Sequence, residues 1–214
     1  MAILIVLVIV AALAVWPQMW VQSVIKRHSV TRPDLSGTGA EFARNLLFRL
    51  GLSHVKVEET PLGDHYDPEA KAVRLSPPHF NGRSLAAVVI AAHEIGHAMQ
   101  DATGFPALAA RTKLAKQTQR IQAIGMTLLI VGPIIMVLLK APHLLILGLI
   151  AGFLLMGMTV AMHVMTLPVE FDASFRRALP VLREAHLIPE RDMRGARQLL
   201  RAAALTYVAA AALD

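Results

Sequence analysis

The run Ala91–Gln100 (AAHEIGHAMQ) places His93, Glu94 and His97 in the pattern His-Glu-x-x-His. On an α-helix, residues four apart lie one above the other on the same face. His93 and His97 then offer two imidazole nitrogens to one metal ion, and Glu94 points into the neighbouring sector. Two imidazoles, a third protein ligand from elsewhere, an open position for water and a carboxylate base make up the chemistry of a hydrolytic zinc centre, with one zinc per chain. The competing reading is a helix with two half-buried histidines and a surface glutamate. Small residues around the motif (Ala91, Ala92, Gly96, Ala98), which let another element approach closely, and a plausible third ligand downstream favour the metal.

The motif needs a helix to carry it. Ser84 is an N-cap for a helix over 84–103, and Gly104 and Pro106 end it. Upstream, Thr38-Gly-Ala-Glu41 is a capping box opening a helix through Leu50, with Gly51 as its C-terminal stop. Val55–Glu58 alternates as a half-buried strand does, Gly63–Pro68 has turn chemistry, and Ala72–Ser76 is a second strand. Together they predict a small β-hairpin or meander. It either covers the core or pairs with an extended peptide along an edge. His54, His65 and His79 are expected at the surface or in turns. Asp101, four residues beyond His97, either orients a ligand imidazole or is an exposed acid near the helix end.

The third ligand must come from further along. Glu170 and Asp172 are the acidic residues between Asp101 and Glu184. Pro168 is expected to open a new helix there. Glu170 is the choice, completing a His₂Glu set. The alternative for Glu170 is ordinary charge at a helix N-terminus, and His163 is a rival ligand. Asp172 lies about 200° around the helix from Glu170, which leaves it a supporting position. In the tail, Pro189 opens a helix to about Ala212 with a basic stripe of Arg194, Arg197 and Arg201. Tyr207 and these arginines are candidates for stabilising a developing oxyanion, or are a packing tyrosine and solvated charges.

Composition sets the surroundings. Of 214 residues, 55% are hydrophobic, and the mean hydropathy is +0.53. The excess lies in residues 1–22, 121–139 and 144–167, each near the roughly 20 residues that cross a bilayer. The expectation is three transmembrane helices, the last two forming a hairpin over 121–167 about the break at 140–143. The first stretch could instead be a secretory signal, but no basic segment precedes it. Lysine and arginine flank the spans on the side of the metal motif, which puts that side in the cytosol. A net charge of +6 suits anionic lipid headgroups, and nothing resembles a nucleic-acid-reading element. The absence of cysteine excludes disulfides and thiolate metal sites. The organisation expected is an anchor at 1–22, a zincin-like domain at 28–120, the hairpin at 121–167, and C-terminal helices at 168–214 that complete the site.

Several motifs together resemble one family. They are Gly63-Asp-His-Tyr-Asp-Pro68, Val73-Arg-Leu-Ser76, Gly82-Arg-Ser84, Ala92-His-Glu-Ile-Gly-His-Ala98, Leu167-Pro-Val-Glu-Phe-Asp-Ala-Ser174 and Ala202-Ala-Ala-Leu-Thr-Tyr-Val208. The chain is similar along nearly its whole length to the YugP-like zinc-dependent membrane peptidases of bacteria. The resemblance implies a multi-pass protein of the bacterial cytoplasmic membrane, acting on polypeptides, with His93, His97 and Glu170 on zinc and Glu94 as base. More distantly the chain is similar to HtpX-type membrane proteases, whose downstream motif is Glu-x-x-Ala-Asp. Ser174 stands where that pattern has Asp, so the supporting carboxylate does not carry over. The fold expected is therefore an α+β integral membrane protein, mostly helical. The alternative function is a zinc-bound membrane scaffold without peptidase activity.

Overall fold

The computed structural model describes residues 2–35, 37–139, 143–184 and 186–211; side chains at 2–14 and 207–211, and many within 122–163, lie outside that description. In chain order the elements are α1 (Ala2–Arg27), α2 (Gly39–Arg49), β1 (Lys56–Glu59), β2 (His65–Asp67), β3 (Ala72–Leu75), α3 (Pro77–Phe80) and α4 (Leu85–Ala102). They continue with α5 (Pro106–Leu139), α6 (His143–Phe171), a π-helical stretch Asp172–Ala178, α7 (Leu179–Glu184), a 3-10 turn Glu190–Asp192 and α8 (Met193–Ala211). The chain divides into two units, residues 1–108 with 167–214, and residues 109–166.

Local chemistry starts the two helices that frame the first unit. At α2, Thr38 Oγ1 accepts from the Glu41 amide at 3.2 Å while Glu41 Oε2 accepts from the Thr38 amide at 2.8 Å. At α4, Ser84 Oγ accepts from the Ala87 amide at 3.1 Å. Each cap satisfies amides that have no partner within the helix.

The sheet order is β1-β3-β2, with β1 parallel and β2 antiparallel to β3. This corrects the expected hairpin or meander. The hairpin is β2–β3, and β1 joins from the far side, with Val57 opposite Val73. Residues 65–67, expected as turn, are strand β2. The reversal comes later, where Asp67 Oδ1 accepts from the Glu69 and Ala70 amides and Lys71 takes φ 48°.

Helix α4 is the core. Residues 85–98 are buried without a break, as a helix apolar on every side must be. It packs against α2, α8, the π-helical stretch and the sheet. Leu47, Leu75, Ile95, Leu182, Leu199 and Leu200 are the largest fully buried aliphatic side chains, each worth about 1.5–3 kcal/mol of burial.

His79, expected at the surface or in a turn, lies in α3 instead. It is buried, and its Nδ1 lies 2.7 Å from Asp64 Oδ2 and 3.1 Å from Ser76 Oγ. Asp64 Oδ1 also accepts from the Ser76 amide at 2.8 Å. The cluster ties the β1–β2 loop to the end of β3. His65 is half-buried with Nδ1 2.9 Å from the Gly63 carbonyl, and His54 is exposed.

The three transmembrane helices expected at 1–22, 121–139 and 144–167 are not supported. Among the described residues no helix is long and apolar enough to cross a membrane. The apolar stretches belong to longer helices. The first continues to Arg27, and its Val21 and Val24 are buried in the core of the first unit, where α1 packs on α8. The second shares one helix, α5, with Arg111, Lys113, Lys116 and Arg120. The third does not stop at Leu167 but continues through Pro168 to Phe171. The 140–142 break lies outside the described residues.

Pro168 therefore does not open a helix. It sits within α6, where a proline removes one backbone donor. In the second unit, the side chains of Ile130, Ile134, Ile146, Ile150, Phe153 and Val164 are exposed.

Candidate metal centre

His93 and His97 project from one face of α4, one turn apart. Their rings meet edge to face with centroids 4.8 Å apart. Both are almost wholly buried, at 4% and 5% exposed. Glu170, 1% exposed, enters from the end of α6. Its Oε2 lies 3.1 Å from His93 Nε2 and 3.3 Å from His97 Nε2. The three ligand atoms lie within 4.8 Å of one another.

Gly96 makes this convergence possible. A Cβ at that position would stand 2.5 Å from the Ala173 carbonyl oxygen and 3.0 Å from its carbon. The π-helical backbone three residues beyond Glu170 thus rests directly on α4, between the two histidines. Wide π turns of this kind recur at functional sites.

Hydrogen bonds to the far side of each ring fix the tautomers. Ser174 Oγ donates to the Leu200 carbonyl at 3.2 Å, so it accepts from His93 Nδ1–H at 2.9 Å. Gln100 Nε2 donates to the Val169 carbonyl at 2.8 Å and to Asp172 Oδ2 at 2.9 Å. Both of those partners are acceptors, which sets the orientation of the amide. Gln100 Oε1 therefore accepts from His97 Nδ1–H at 3.0 Å. Each neutral ring then turns an Nε2 lone pair towards Glu170, where an oxygen also offers lone pairs.

Such a cluster of acceptors suits a cation. Two ligands each bonded to zinc at about 2.0–2.1 Å in tetrahedral array stand about 3.3 Å apart. The two Nε2–Oε2 separations match this, and the donors are a known zinc set. Burial pushes the Glu170 carboxyl up, and positive charge at His97 and His93 would hold it below the usual carboxylate range; with both rings neutral, that charge has to come from a cation. Asp172 behaves alike: burial raises it, and Arg177, at 2.8 Å, with Gln100 lowers it further.

The remaining sequence candidates fall as follows. Glu94, 6% exposed, lies on α4 beside His93. Asp172 supports the site at one remove, through Gln100. Asp101 faces the sheet instead of an imidazole; its Oδ2 accepts from Tyr66 Oη and Lys71 Nζ, each at 2.6 Å. Tyr207 lies on α8 and His163 on α6, with side chains outside the described residues. Arg194, Arg197 and Arg201 are exposed. Sequence reasoning missed the roles of Gln100 and Ser174. The signal was spacing: Gln100 is one turn beyond His97, and Ser174 one turn beyond Glu170.

A buried helix bearing two histidines, closed by a glutamate from a second helix, presents a three-residue set that could hold one metal ion. Residues 3–214 match the family described as "Putative neutral zinc metallopeptidase", and the chain belongs to it. A curated relative is the "Putative membrane protease YugP" of Bacillus subtilis (strain 168). It is 38% identical over 201 residues, covering 93% of this chain and 85% of that protein. No solved structure matches the chain.

Proposed function

We propose that the chain is a zinc metalloendopeptidase that hydrolyses internal peptide bonds of polypeptides. One observation carries this: His93, His97 and Glu170 converge on one point, and Glu94 stands on the same helix beside His93. His93 and His97 would hold one zinc ion through Nε2 and Glu170 through a carboxylate oxygen. Bound there, zinc supplies Lewis-acid polarisation of a peptide carbonyl and acidifies water.

The chain's own residues do the rest. Glu94 takes a proton from the attacking water and delivers it to the amide nitrogen as the C–N bond breaks. Ser174 and Gln100 keep both imidazoles in the tautomer that presents Nε2. Asp172, held by Arg177, fixes Gln100 in turn. The burial of His93, Glu94, His97 and Glu170 keeps bulk water from screening them.

The Bacillus relative is named a membrane protease, and on that likeness we place the substrates at a membrane, as misfolded or membrane-associated polypeptides. The multi-pass topology expected from the sequence is not part of this reading.

The test is cleavage of an unfolded reporter protein by the zinc-loaded chain, beside Glu94→Gln. Cutting by the native chain alone supports the reading. Equal cutting by both removes Glu94 from the chemistry.

A further inference from the structure

A groove of ≈ 560 Å³ lies against the segment that supplies Glu170. That volume is within the range of sites that bind small molecules or side chains. Phe105, Phe171 and Phe175 form its apolar wall. The Phe171 and Phe175 rings stack with centroids 5.6 Å apart, and Phe171 is 42% exposed. The Arg177 guanidinium lies 5.6 Å over the Phe105 ring and holds that wall in place. Two further arginines, Arg176 and Arg201, line the groove from the π-helical stretch and from α8. Among the described residues neither forms an ion pair. The carboxylate in the lining, Asp172, bonds Arg177 and also feels the charge of Arg176.

The groove lining thus combines aromatic rings with two arginines and one carboxylate. It adjoins the metal centre through the segment that supplies Glu170, although none of His93, Glu94, His97 and Glu170 lines it. Phe171 follows Glu170 directly, and Asp172 reaches His97 through Gln100.

We infer that this groove is a specificity pocket for the substrate. It takes a bulky apolar side chain on Phe171 and Phe175 while an adjacent substrate carboxylate reaches Arg176 and Arg201. The inference rests on the peptidase reading above and names its substrate class: polypeptides with an aromatic or large aliphatic residue next to an acidic one. An aromatic face gives stacking that a small side chain cannot, and a guanidinium pair favours a carboxylate over an ammonium.

The test uses full-length, zinc-loaded chain with the Glu94→Gln change, so that binding is read without cleavage. Fluorescently labelled peptides identical but for a central Phe-Glu, Phe-Lys or Ala-Glu pair are titrated by anisotropy. The Phe-Glu peptide is expected to bind about tenfold more tightly than either of the others. Arg176→Glu with Arg201→Glu, both at exposed positions, is expected to reverse the order of Phe-Glu and Phe-Lys. Phe171→Ala is expected to erase the Phe over Ala preference while keeping Glu over Lys. An order unchanged by the charge reversal overturns the inference. So does an unchanged peptide order with loss of binding to phosphatidylglycerol vesicles, which assigns the arginines to lipid. The same peptides are then offered to the chain with Glu94 intact. Preference without cleavage would sink the peptidase reading and leave the groove standing; cleavage without preference does the reverse.

Discussion

Gly96→Ala separates metal binding from folding. The added methyl would begin 2.5 Å from the Ala173 carbonyl oxygen, a contact that must open to at least 3.0 Å. Both partners are backbone within helices, so α4 and the π-helical stretch must part by about 0.5 Å. The overpacking costs about 1–3 kcal/mol, and replacing a mid-helix glycine returns about 1 kcal/mol. The fold therefore survives with a net loss of about 0–2 kcal/mol, or a few degrees in Tm for a chain of this size. The metal centre has less room to yield. Glu170 is three residues from Ala173 and sits 3.1 and 3.3 Å from the two imidazoles, so a shift of that size spoils the spacing of the ligands. Zinc affinity should fall at least tenfold, measured by competition with a chromogenic chelator beside a thermal melt. Native zinc affinity in a folded Gly96→Ala chain would refute the argument that close approach at this glycine builds the site.

Three further outcomes follow from named contacts. Ser174→Ala removes the acceptor of His93 Nδ1–H and should weaken zinc binding about 10–100-fold, read by the same chelator competition. Asp64 is pushed up by burial, but hydrogen bonds from His79 and Ser76 outweigh this and hold it below its usual value. Its folded pKa lies below an unfolded value of about 4, so the ionised group stabilises the fold above that pH, and the benefit disappears as pH falls through the folded pKa. Asp64→Asn should accordingly lower the urea midpoint most at pH 7 and least near pH 3; an equal deficit at both would count against it. Thr38→Ala removes one half of the α2 capping box and should cost about 1 kcal/mol, read as a lowered urea midpoint with zinc affinity retained.

Signals acting within a turn or two of chain were the legible ones. The capping box at Thr38 and Glu41, the cap at Ser84 and the one-turn spacing of His93 and His97 all report on groups a few residues apart. Glu170 was within reach because few acids lie downstream to choose from. Pairings set by distant residues were not legible. The parallel match of β1 to β3 depends on the whole intervening chain. Asp101 has helical spacing from His97, yet Tyr66 and Lys71 of the sheet claim it. Helix α6 runs through Pro168 because one lost hydrogen bond is outweighed by the packing of the residues that follow, Val169 and Glu170, both buried. At the end of the first apolar run, hydropathy does not distinguish a bilayer from a protein core, and Val21 and Val24 face the latter.

The claim at the centre is that one metal ion is held jointly by α4 and by Glu170 from the end of α6. Equilibrium zinc titration of the native chain and of Glu170→Gln, with circular dichroism to show both folded, tests it most directly. The account predicts one zinc per native chain and a loss of at least a hundredfold in affinity for the variant. Equal affinity and stoichiometry in the two would contradict it, and with it the peptidase reading built on that centre.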